Sequence, residues 1–153
     1  MNSNISSTPQ IVTACWLTKL PPEFIRVGIS RGAPRGHPAG YRRYPPLHPG
    51  PWFRTVSEED YVRRYNAEVL APLDARRVIE DLRRISVGWP VALLCFERAG
   101  TSDDWCHRSL VAAWLARAIG QPVPELGYER WSQNQHPLLP PSLLVKADAQ
   151  NHG

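Results

Sequence analysis

The apolar positions along the chain change period several times. "IVTACWL" at 11–17 is nearly continuous, and Ile25, Val27 and Ile29 alternate with small or polar neighbours, so both stretches read as strands. The period then lengthens. "SEEDYVRRYNAEVL" opens at Ser57, an N-cap residue followed by three acids that suit the positive end of a helix, and Tyr61, Tyr65 and Val69 share a face. Pro72 interrupts this helix. Asp74 caps a second, "ARRVIEDLRRISV", whose Val78, Ile79, Leu82 and Ile85 form the buried side and which Gly88 stops. "PVALLCFE" at 90–97 is a short apolar run of the kind buried on both faces of a parallel sheet. Leu110, Val111, Trp114, Leu115 and Ile119 then stripe a third helix that begins near His107 and ends at Gly120. "QPVPELGY" is expected to add one more short strand.

Strand, helices, strand, helix is the order of a small α/β, Rossmann-like domain with a mainly parallel sheet flanked by helices and joined by right-handed crossovers. A length of 153 residues suits one domain with a real core. The expected boundaries are a flexible tail at 1–9, the α/β domain at 10–131, and a loosely ordered tail at 132–153, rich in Pro, Gln and Asn. Ligands of such sheets bind beyond the carboxyl ends of the strands. One strand ends at Ser30-Arg31 and another at Cys95-Phe96-Glu97. If the two are neighbours, the arginine-bearing loop after the first and the Cys-His-Arg segment after the second meet at one edge.

Charge changes the picture mainly between Phe24 and Ser57. That stretch holds no Asp or Glu but carries Arg26, Arg31, Arg35, Arg42, Arg43 and Arg54, with His37 and His48. Its glycines and prolines make it loop, and Tyr41, Tyr44, Trp52 and Phe53 set it apart from disordered chain. The rings either pin the loop to the core or offer stacking surfaces for single-stranded nucleic acid, and for the rings alone pinning is the favoured reading. The loop lacks the glycine patterns of nucleotide-binding turns. The whole chain carries a net charge of +4, and all its basic residues except Lys19 and Lys146 are arginine, which favours planar contact with phosphate or carboxylate. No apolar run reaches membrane-span length, and "MNSNISSTPQ" has no secretory pattern, so a cytoplasmic, membrane-free protein is expected. Three cysteines in no repeating framework argue against disulfide stapling.

The chemistry concentrates in "ALLCFERAGTSDDWCHRSL". Cys106 stands at a helix start, where free backbone donors, His107 and Arg108 would favour the thiolate, the nucleophilic form. Cys95 is the second candidate, with packing as its default role. Glu97 is read as a proton carrier or as the partner of Arg31 or Arg108, and His107 as base or ligand. A zinc site from Cys95, Cys106, His107 and a loop histidine is not expected, because adjacent residues such as Cys106 and His107 rarely both reach one metal. The sequence requires no cofactor.

"VGISRGAPRGHPAGYRRYPPLHPGPWF", "LAPLDARRVIEDL", "ALLCFE", "WCHRSLVAAWL" and "QPVPELG" together resemble the uncharacterised bacterial family known as domain of unknown function 488, DUF488, over about residues 11–128. The most specific parts are Ser30–Gly36 and Leu93–Arg108. The resemblance implies a compact Rossmann-like domain but no activity. Carried over by motif, the positions of interest are Ser30, Arg31, Arg35, Tyr41, Cys95, Glu97, Cys106, His107 and Arg108. The order strand, Cys, loop, Arg-Ser, helix is also similar to that of rhodanese-like sulfurtransferases and cysteine phosphatases. Here, however, twelve residues separate Cys95 from Arg108, where those loops run compactly from Cys to Arg.

Three readings are open at this level. The first is an anion-binding site for phosphate, nucleotide or nucleic acid with cysteine-thiolate chemistry, sulfurtransferase-, phosphatase- or transferase-like. Its catalytic candidates are Cys106, Cys95, Glu97 and His107; its ligand-binding candidates are Ser30, Arg31, Arg35, Tyr41 and Arg108. The second is a non-catalytic nucleic-acid or nucleotide-binding module using the loop 30–54. The third is a small redox or metal protein.

Overall fold

The computed structural model describes residues 10–99, 105–128 and 136–143. Four strands, β1 (Ile11–Cys15), β2 (Ile25–Gly28), β3 (Arg42–Arg43) and β4 (Val91–Cys95), form one all-parallel sheet in the order β1-β4-β2-β3. The helices are α1 (Glu58–Arg64), α2 (Ala75–Ser86) and α3 (His107–Ile119). This is an α/β, Rossmann-like arrangement. Every residue of β1 and β4 is buried: β4 is an apolar run inside the parallel sheet, and the outer edge of β1 is covered by the segment around Glu125, which bridges to Thr13. Among the described residues, no helix is long and apolar enough to cross a membrane.

The sheet separates two apolar clusters. Strand alternation sends Ile11, Val27, Val91 and Leu93 to one face, where Tyr65, Val78, Leu82, Val111 and Leu115 of the helical layer cover them. Val12, Ala14, Ala92 and Leu94 point the other way, and there Trp16, Phe24 and Leu20 from the β1–β2 connection pack on them with Tyr41 and Leu126. Trp16 fits because Gly28 has no side chain: a Cβ at that position would lie 2.4 Å from its ring. Its Nε1–H donates to the Ser30 hydroxyl at 2.8 Å, which fixes the backbone just past the end of β2.

The helix ends reflect local chemistry. The Ser57 hydroxyl accepts the Asp60 amide, and the Asp74 carboxylate accepts that of Arg76. The helix from Ser57 passes after Arg64 into a π-helical turn, Tyr65–Leu70, rather than running on as regular α-helix. That turn carries buried Tyr65, whose hydroxyl donates to the Leu47 carbonyl at 2.7 Å. Beyond α2, Val87 precedes Gly88 in the left-handed region, at φ 53°.

The arginine-rich loop is ordered by its rings. Tyr44 and Leu47 are buried, the Tyr44 hydroxyl donates to Asp81, and Trp52 Nε1–H donates to Glu68. β3 lies within this stretch, where no apolar alternation marks it. The short strand anticipated in "QPVPELGY" is a single parallel bridge between Glu125 and Thr13. The tail 1–9 and the loop centre at 100–104 lie outside the described residues. Of the tail from 132, residues 136–143 are described; His136 and Leu138 are buried, and the Leu138 carbonyl accepts the Cys106 amide at 3.0 Å.

Candidate functional site

β2 and β4 are direct neighbours, with Val27 beside Leu93 and Gly28 beside Leu94, and the Ile29 amide extends the pairing to the Leu94 carbonyl. The two strand ends therefore open side by side. Between them and the N-terminus of α3 lies a cavity of about 760 Å³, a size suited to a small molecule. Ser30, Arg31, Cys95, Glu97, Cys106 and His107 all line it. Phe53, Arg54, Tyr61 and Trp105 complete much of the wall.

Cys95 ends β4, and Cys106 is the N-cap of α3, its Sγ 3.5 Å from the Arg108 amide. The two are joined as a disulfide, contrary to the expectation from cysteine count alone. Count and spacing carry no information on which chain ends the fold brings together. The third cysteine, Cys15, is buried and free, and its thiol donates to the Phe96 carbonyl.

His107 is buried, and its Nε2 lies 2.9 Å from the Ile29 carbonyl. A carbonyl only accepts, so Nε2 carries the hydrogen, and in the neutral ring Nδ1 keeps its lone pair. Nδ1 faces Cys106 Sγ at 3.8 Å. Burial lowers the His107 pKa to about 4 despite the opposing Ile29 hydrogen bond, so the ring is neutral at pH 7. A group so poised is a poor general base there. The two neighbours nonetheless point their donor atoms the same way. Cys106 is extended, at φ −146° and ψ 143°, while His107 begins the helix. The sulfurs of Cys95 and Cys106 and a ring nitrogen of His107 lie within 4.8 Å of one another.

Arg108 is placed differently from the other candidates. It is fully buried behind the cavity wall, not on it. Its Nε and Nη2 donate to the two Glu125 carboxylate oxygens at 2.9 and 2.7 Å, and Nη2 also donates to the Glu97 carbonyl at 2.7 Å. Nη1 points at Cys95 Sγ, 3.2 Å away. The guanidinium is thus turned to groups of the fold rather than to the cavity; it fixes the strand end and sets a positive charge beside one sulfur. Burial alone would raise the Glu125 pKa, but the hydrogen bonds from Arg108 and His136, the Arg108 charge and the Thr13 hydroxyl bring it down to about 2. The Thr13 hydroxyl donates to Glu125 at 2.7 Å and lies 2.7 Å from His136 Nε2. Sequence reasoning assigned no role to Thr13, Glu125 or His136. The one available signal was that a buried arginine requires a buried carboxylate.

Glu97 Oε1 lies 3.4 Å from Cys95 Sγ. Its charge adds to burial in raising the pKa of Tyr61. Arg31 is exposed, and one of its N–H groups donates to the Pro49 carbonyl. The Ser30 hydroxyl accepts from Trp16 and donates to the Gly32 carbonyl at 2.6 Å. Besides Arg108, two more candidates fall outside the cavity lining. Arg35 is exposed, and Tyr41 packs edge-on against Trp16 and His37.

A family model described as DUF488-N3a, active DUF488-N3 subclade, matches residues 12–119. No curated protein and no solved structure gives a significant match. The matched span runs from β1 to the last residue of α3 and contains the whole cavity lining, Ser30 to His107. The chain therefore belongs to the DUF488 family.

Proposed function

We propose that the chain is a thiol-dependent enzyme acting on a small anionic substrate, with Cys95 as nucleophile. The observation that supports this most is the surroundings of Cys95 Sγ. A buried guanidinium stands 3.2 Å away and a carboxylate oxygen 3.4 Å away, at the wall of a ligand-sized cavity. In the reduced protein, Glu97 takes the Cys95 proton and the Arg108 charge stabilises the thiolate that remains. Cys106 is then the second thiol, placed to close on Cys95 again. Arg31 and Arg54, both exposed on the wall, hold the anionic group, and Phe53 and Trp105 border the same space. This order reverses the one drawn from sequence, where Cys106 came first. His107 is assigned no proton transfer.

A phosphate or a nucleotide suits such a cavity. The description of the matching family, with its word "active", agrees with catalysis. A reducing compartment such as the cytoplasm would keep the pair as thiols. The nucleic-acid module has less support, because Tyr44 and Trp52 are engaged in packing and hydrogen bonds within the fold.

Two alkylating agents of similar size test the reading. Iodoacetate is an anion and iodoacetamide is neutral. With the reduced protein, Cys95 should react with iodoacetate at least as fast as with iodoacetamide. Arg31→Ala and Arg54→Ala should lower the iodoacetate rate alone. A Cys95 indifferent to both arginines removes the anion site from the proposal.

A further inference from the structure

We propose that the reduced site binds a soft divalent cation of the zinc class through Cys95 Sγ, Cys106 Sγ and His107 Nδ1, with a fourth position open to the cavity. Two features carry it. The donor atoms already cluster within 4.8 Å, and the 3.8 Å between Cys106 Sγ and His107 Nδ1 is close to the edge of a tetrahedron with Zn–S near ~2.3 Å and Zn–N near ~2.0 Å. His107 is held in the ligand tautomer, its Nε2–H spent on the Ile29 carbonyl, as metal-binding histidines commonly are.

The surroundings suit a Cys2His site. Two thiolates and one neutral imidazole around a divalent ion leave no net charge. The N–H groups of Arg108 that face the two sulfurs, one from its side chain and one from its backbone, would hold both thiolates in place. All three ligands line the cavity, so a water or an anionic group can take the fourth place, the arrangement that catalytic zinc sites keep. Binding requires the open dithiol. A small dithiol reductant gives two electrons and two protons to the disulfide and is itself oxidised to a disulfide. The metal ion then displaces the two thiol protons into solvent and forms two metal–sulfur bonds. Occupancy thus tracks redox state.

The inference shares its sulfurs with the proposed enzyme but does not depend on it. Alkylation with a chelator present reads thiolate reactivity; metal titration reads ligation; either can fail alone. The full chain is reduced, freed of reductant under anaerobic conditions, and titrated with Zn²⁺ against a chromophoric chelator and with Co²⁺ by absorption. The expected result is one equivalent of Zn²⁺, with a thiolate-to-cobalt charge-transfer band and tetrahedral d–d bands for Co²⁺. Both should vanish on reoxidation of the Cys95–Cys106 pair. His107→Gln keeps a donor for the Ile29 carbonyl but lacks Nδ1, and should weaken binding at least about tenfold. Cys15→Ser should change nothing. No uptake by the reduced wild-type chain, retention of metal after reoxidation, full affinity in His107→Gln, or loss in Cys15→Ser would overturn the assignment. The wild-type cobalt spectrum decides the matter even where a variant fails to fold.

Discussion

Arg108 explains more of this molecule than any other side chain. It is a fully buried charge, tolerable only because Glu125 meets it with two parallel hydrogen bonds at 2.9 and 2.7 Å. The pair also locks the C-terminal end of β4, through the Glu97 carbonyl, and presents Nη1 to Cys95. Removing one partner strands the other. Glu125→Ala should therefore destabilise the fold by about 3–5 kcal/mol, measured by urea denaturation. A loss below about 1 kcal/mol would mean that the guanidinium finds water or another partner, and its hold on Cys95 would be in doubt.

At the level of elements, the helix and strand cores result from period and caps, because burial and end chemistry are local consequences of residue order. Ser57, Asp74 and Gly120 end their helices as their residue types suggest. Features that the sequence does not show are set by distant contacts. β3 is two exposed arginines paired with Val27 and Gly28, without any apolar signature. The Cys95–Cys106 contact depends on where a strand end meets a helix start; Glu125 comes from a stretch read only as a short strand and His136 from the tail, and nothing in either marks a partner for Arg108. Most of the cavity candidates were readable because parallel strands bring their C-terminal ends to one edge. That Arg108 lies behind the wall was not readable, because helix spacing does not say how deeply the first turn of α3 is buried. One local choice goes against propensity: Val87, β-branched, ends α2 in the left-handed region. Val87→Gly should raise stability by up to about 1 kcal/mol, since the residue is exposed and loses little by truncation. A destabilised variant would show that Val87 contributes packing that outweighs the backbone conformation.

For the whole molecule, buried ionisable groups set the acid limit. His107 takes a proton in the unfolded chain near 6.5 but in the folded one only near 4. Between those values the unfolded state binds more protons, so stability is full above about pH 6.5 and declines toward pH 4. Glu125 adds a second loss: its stabilisation is complete above about 4.5 and disappears as pH falls through about 2. Urea midpoints taken from pH 7 to 4 should fall steadily for the wild type, and the slope should flatten in His107→Gln. An unchanged slope would mean that His107 is not the neutral, buried group described.

The central claim is that Cys95, flanked by Arg108 and Glu97 at the cavity, is held as a reactive thiolate once the disulfide opens. Its most direct test is the pH dependence of alkylation of the native, reduced, chelator-treated protein, with each modified cysteine located by mass spectrometry. The expected result is a midpoint for Cys95 well below the free-thiol value of about 8.5, with Cys15 inert until unfolding. A Cys95 that reacts only above that value, or only after denaturation, contradicts it.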